Sequence, residues 1–182
     1  MSYFKPFLKA MIEYFKEYSF ILVAPNKFET TFIDEFNNWE LKIVPYRHIG
    51  VSSLNIIIYD MWVLPRALKK INADFLISPY YDFLIPNKYK NKSVITIHDL
   101  CYWELDKSYS TKVKFYHKLL LNINLNKVNK IITVSKTSLE KIKGIFGKEI
   151  ADKTHVIYNT FEVKSNINQD KEQIQRAIKT LL

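Results

Sequence analysis

Glycine is nearly absent, with 3 in 182 residues. So few exclude a glycine-rich all-β fold and a phosphate loop built on several glycines. The single cysteine, Cys101, excludes a disulfide scaffold and any cysteine-clustered zinc site. A reducing compartment is its natural home. No stretch reaches the roughly 18 apolar residues that span a bilayer. The runs at 19–24 and 56–64 are short, and Asp60 interrupts the second. Lys5, Lys9, Glu13, Lys16 and Glu17 leave no uninterrupted signal-peptide core near the N-terminus. The expectation is a cytoplasmic protein.

What is present is apolar and basic. Hydrophobic residues make up 48% and aromatics 15%, enough for a sizeable core and too much for a disordered chain. The length suits one domain. Lysine plus arginine is 27 against 18 acidic residues, a formal charge of +9. That suits an acidic partner: nucleic acid, an anionic membrane surface or a phosphorylated substrate. The plainer reading is that lysines solvate helix faces.

Two periods alternate along the chain. Tyr3, Phe4, Phe7, Leu8, Met11, Ile12 and Phe15 recur at helical spacing, with Pro6 near the first turn. The apolar run Phe20–Ala24 reads as a strand. A short helix is expected over 28–36 and a second strand over 41–44. Residues 54–71 read as a helix that kinks or restarts at Pro65. Strands follow at 74–77, Ser93–Ile97, 130–134 and 154–158. Helices are expected at 107–128 and at Lys136–Phe146, the latter closed by Gly147. Short runs of Ile, Val and Leu between helices predict an α/β fold: a doubly wound, Rossmann-like parallel sheet covered on both faces. After Asn159 the composition turns to Lys, Asn, Gln and Glu. A linker over 163–171 and a short helix over 173–182 are expected.

In such sheets, ligands bind beyond the carboxyl ends of the strands. The polar residues placed there are Asn26, Ser78, His98, Asp99, Ser135 and Asn159. Each also has a structural reading. Asn26 suits a turn, Ser78 shapes a loop before proline, Asp99 caps a turn and Ser135 caps a helix. His98 is the sharpest candidate, because a histidine at the opening of the sheet can contact a substrate oxygen or move a proton. Its other reading is a hydrogen-bonded histidine under a loop. His48, His117 and His155 are weaker, and no pair has ligand spacing, so no metal site is expected. Tyr80, Tyr81, Phe83, Tyr102 and Trp103 flank the strand ends and suit stacking on a sugar or on a lipid-like acceptor, or a core under loops.

Four runs in order carry a resemblance. They are Ala73-Asp74-Phe75-Leu76-Ile77-Ser78-Pro79, Val94-Ile95-Thr96-Ile97-His98-Asp99-Leu100, Lys130-Ile131-Ile132-Thr133-Val134-Ser135 and His155-Val156-Ile157-Tyr158-Asn159. Together they resemble the N-terminal domain of family 4 glycosyltransferases, GT-B enzymes also called glycosyl transferases group 1. The resemblance covers most of residues 1–161, with 162–182 left as an interdomain linker and the start of a second domain. It implies the N-terminal half of a GT-B fold and a retaining transfer of sugar from a nucleotide-sugar donor to an acceptor. The nucleotide sugar is then a co-substrate, and no cofactor or metal is implied. His98 becomes the catalytic candidate, as a substrate contact rather than a general base. Ser78, Tyr80, Asp99, Tyr102 and Ser135 become acceptor-binding candidates, and Asn159 the hinge.

The implied acceptor is a cell-surface glycan or a lipid-linked sugar, with contact at the inner face of the cytoplasmic membrane. The family pattern begins with a strand and a glycine-rich loop, whereas this chain begins on a helix and has its first glycine at Gly50. No two glutamates stand eight apart, so the family's Glu-x7-Glu motif is missing. The expectation is a domain lacking its first strand and its donor-binding half, inactive alone. The alternative is a non-catalytic basic module or split-enzyme subunit acting through a partner chain or membrane surface. Nucleic acid is the least supported partner, since the lysines form no stripe.

Overall fold

The spacing of Phe7, Leu8, Met11, Ile12 and Phe15 buries one face of the first helix, α1 (Phe4–Tyr14). The computed structural model describes residues 4–26, 30, 31, 33–45, 52–104 and 109–158. Among these, 4–45 and 52–158 fall into two units.

In the first unit, β1 (Phe20–Ala24) and β2 (Trp39–Ile43) pair in parallel, with Phe20 opposite Trp39 and Ala24 opposite Ile43. Leu8, Ile12 and Ile33 form its core, with Phe20, Leu22, Phe36 and Trp39 packed against them. The Asn38 amide donates to the carbonyls of Ile12 and Tyr18 at 3.2 and 3.1 Å, closing the end of α1. The helix expected over 28–36 is not formed in the part described. Residues 33–36 make short turns, Ile33 N–H to Thr30 and Phe36 N–H to Ile33. The Trp39 indole also takes the Ile33 carbonyl at 2.9 Å, which removes it from a helical ladder.

The second unit opens with α2 (Ser52–Ile58), a π-helical turn (Tyr59–Val63) and α3 (Leu64–Lys70). Pro65, in the first turn of α3, has no N–H to give. Just before it the ladder widens, and Leu64 N–H reaches back to Tyr59. The restart expected at Pro65 thus takes the form of a wide turn. Next come β3 (Leu76–Ser78), β4 (Ser93–Ile97), α4 (Cys101–Glu104) and α5 (Thr111–Leu125). Then follow β5 (Lys130–Thr133), α6 (Lys136–Phe146), α7 (Lys148–Asp152) and β6 (Thr154–Val156).

The strands form one parallel sheet in the order β3-β4-β5-β6. Every residue of β4 is buried, as a central strand covered on both faces requires. Gly147 closes α6 with φ 83°, a left-handed conformation that suits glycine. The helix α7 behind it was not expected. The predicted alternation of helices and parallel strands holds, with the strands shared between the two units. The linker over 162–182 and Asn159 lie outside the described residues.

Candidate functional site

The parallel strands of the second unit bring Ser78, His98 and Ser135 to one end of the sheet. His98 follows β4 directly. Its Nε2 lies 3.1 Å from the Pro79 carbonyl, so that nitrogen carries the proton and donates. The Tyr80 ring sits 5.5 Å from the His98 ring, tilted by 45°. The backbone beneath is pinned by hydroxyls. Thr133 Oγ1 donates to the Ile97 carbonyl at 2.9 Å, and Ser138 Oγ donates to the His98 carbonyl at 3.2 Å. Ser135 caps α6 by accepting from Ser138 N–H at 3.0 Å, and its hydroxyl donates to Ser138 Oγ at 3.0 Å. Ser135 therefore reaches His98 through Ser138.

The remaining expected residues divide. The Ser78 hydroxyl is buried and held in its own turn, donating to the Tyr80 carbonyl at 2.6 Å. Asp99 is exposed, and its carboxylate accepts from Cys101 N–H at 3.1 Å at the start of α4. Tyr102 stacks on His117 of α5, with ring centroids 3.9 Å apart and planes 5° from parallel. The Tyr109 ring lies 4.7 Å from that of Tyr102, tilted by 53°.

His117 is the centre of a second constellation. Its Nδ1 lies 3.3 Å from the Asp82 carboxylate, while Tyr81 and Tyr116 meet its ring edge-on. Tyr116 donates its hydroxyl to Asp60 at 3.0 Å, tying α5 to the π-helical turn. Burial raises the Asp60 carboxyl to about 6, against the opposing effect of the Tyr116 bond, and nearby Asp82 adds to the rise. Burial, and then the Asp82 charge, also push the Tyr81 and Tyr102 hydroxyls upward. Among the described residues, no three His, Cys, Asp or Glu side chains gather as a metal site.

A family model, Glycosyltransferase Family 4, matches residues 16–164. The chain belongs to glycosyltransferase family 4. No curated protein and no solved structure matched it.

In this family 4 domain the matched residues include both constellations. The structure brings Tyr80, His98 and, through Ser138, Ser135 together. Tyr102 is turned to His117 instead. Sequence reasoning set His117 aside as a residue of a long helix. It passed over Asp82 and Tyr116, and it met Asp60 only as an interruption. That interruption was a usable signal, since a lone carboxylate in an apolar run needs a partner when it is buried. His155, one of the weaker histidine candidates, lies on β6, and burial lowers the pKa of its ring. His48 lies outside the described residues. No helix among the described residues is long and apolar enough to cross a membrane.

Proposed function

We propose that this chain is the acceptor-binding domain of a retaining glycosyltransferase. It would work with a donor-binding domain that supplies the nucleotide sugar. The observation that carries this reading is the placement of His98 at the C-terminal end of the fully buried strand β4, within the family-matched residues. A substrate contact there is well supported from below: hydroxyls hold the carbonyls of Ile97 and His98, and Pro79 orients the ring. Tyr80 beside it offers an apolar face and a polar tip, which suits a sugar ring. Asp99 and Ser135 complete the proposed acceptor wall, with Ser78 shaping the turn under Tyr80.

The proposed acceptor is a cell-surface glycan or a lipid-linked sugar, met at the inner face of the cytoplasmic membrane. Sugar leaves the nucleotide diphosphate with retention, and His98 contacts the substrate as charge develops. No cofactor is part of the proposed reaction.

The test is a chimaera in which a family 4 donor-binding domain completes the chain. His98→Ala is expected to lower kcat by roughly 10²-fold, the scale of one lost transition-state contact, with a smaller change in donor affinity. An unchanged kcat would remove His98 from the site. The 182-residue chain alone is expected to show no turnover with nucleotide sugars.

A further inference from the structure

The loop between β3 and β4 carries Tyr80 to His98, and helix α5 holds it at two places. The first is Asn124, fully buried. Its Oδ1 accepts from Ile85 N–H at 3.0 Å, and its Nδ2 donates to the Phe83 and Tyr81 carbonyls at 2.7 and 3.2 Å. The second is His117, two turns earlier on the same face of α5. Its partner is Asp82 in the middle of that loop.

The two anchors differ in kind. The Asn124 bonds are neutral and do not change with pH. The His117 contact depends on a proton. Nδ1 is buried and, although 3.3 Å from the carboxylate, makes no aligned hydrogen bond. An uncharged ring gains little from that geometry, whereas a protonated ring makes an ion pair with Asp82. Histidine is also the side chain that changes charge near neutrality.

We propose that His117 is a positioning residue: through its proton-dependent grip on Asp82, it sets where the β3–β4 loop holds Tyr80 against His98. Several titratable groups lie around the ring. Asp82 and Tyr81 face the ring from the loop, Asp60 from the π-helical turn, Tyr102 from α4 and Tyr116 from α5 itself. Asp99 and Cys101 lie close to Tyr81 and Tyr102. The ammonium of Lys118 on α5 lies over the Trp103 ring, 5.5 Å from its centroid. Lowering the pH tightens the loop and raising it loosens the loop, while Asn124 keeps the far end fixed.

The consequence for transfer rests on the reading of His98 as a substrate contact. The anchor itself does not, so the two are tested apart. The full chain carrying His98→Gln, which removes the imidazole packed against this loop, is followed by NMR against pH. The amides of Tyr81, Asp82 and Phe83 are expected to shift with the same midpoint as the His117 ring, while the Ile85 amide moves little. Adding Asp82→Asn is expected to cut the loop shifts at least twofold; Asp82 is half-exposed and tolerates the change. In the unmodified chain, Tyr80–His98 ring cross-peaks are expected to weaken above that midpoint. Loop amides with a midpoint of their own, shifts unchanged by Asp82→Asn, or cross-peaks indifferent to pH would each overturn the proposal. None of these readouts uses transferase activity, so a failure of the His98 reading in the chimaera leaves them interpretable.

Discussion

Asp60 shows at the residue scale what a partly buried carboxylate costs. Its carboxyl titrates near 6 in the fold against 3.8 in the unfolded chain, chiefly because burial disfavours the charge. The fold therefore binds more protons than the unfolded chain between those two values. Stability falls as pH rises through that window and stays low above it. The gap would correspond to roughly 3 kcal/mol for a fully buried group. Screening at the half-buried Asp60 reduces this to on the order of 1 kcal/mol. Asp60→Asn keeps an oxygen to accept from Tyr116 and removes the charge. It is expected to raise the urea midpoint at pH 7 and to leave it nearly unchanged at pH 4, where Asp60 is already mostly neutral. A variant less stable than the parent at both values would show that the carboxylate is held by a favourable partner instead.

Among the elements, α5 organises the site, and Asn124 is the residue on which that depends. Asn124→Ala would leave the Ile85 N–H and the Tyr81 and Phe83 carbonyls without their partner in a buried position. A loss of about 2–4 kcal/mol is expected from chemical denaturation, the cost of several orphaned polar groups. A loss below about 1 kcal/mol would mean that water replaces the amide. Nothing in the sequence distinguished Asn124 from its solvated neighbours Asn122 and Asn126, because only the packed fold decides which of them faces a loop. What was legible followed from short-range rules. Helical spacing marked α1 and α6, continuous Ile and Val marked β4 and β5, and glycine marked the end of α6. His98 and Ser135 could be placed at the end of the sheet because strand ends are visible in the chain. The π-helical turn was not, since its wide ladder answers a missing proline N–H rather than a propensity. The cluster of Asp60, Asp82 and His117 was not, since it joins a helix, a loop and a second helix that only tertiary packing brings together.

At the scale of the molecule, the charge of +9 raises the question of an acidic partner. Asp60, Asp82 and Asp99 lie at the side where the strands finish, while Lys88, Lys127, Lys130 and Lys153 lie where they begin. Part of that basicity is structural. In parallel α/β units the helices end where the strands start, so their last carbonyls collect there with the negative ends of the helix dipoles. Lys153 donates to the Leu125 carbonyl at the end of α5 at 2.6 Å. Lys127 donates to the Ile85 carbonyl at 2.7 Å, and Lys88 donates to the Ile71 carbonyl just past α3. Burial lowers the pKa values of Lys127 and Lys153, and Lys69 adds repulsion at Lys127. The ammonium groups of Lys153 and Lys88 complete helix ends and that of Lys127 ties down the β3–β4 loop, so all three are engaged by the fold. Lys69, Lys70, Lys90 and Lys92 are exposed. Lys153→Met is therefore expected to cost on the order of 1–2 kcal/mol through its unpartnered carbonyls. Replacing all four exposed lysines by glutamine is expected to leave stability within about 0.5 kcal/mol per site, with a slight gain where Lys69 no longer faces Lys127. Sedimentation with anionic vesicles at low salt then reads what the exposed charges do. Binding that survives the fourfold change would place the acidic partner's contact elsewhere on the chain. Binding that disappears while the denaturation curve stays put would assign it to the end of the sheet opposite His98.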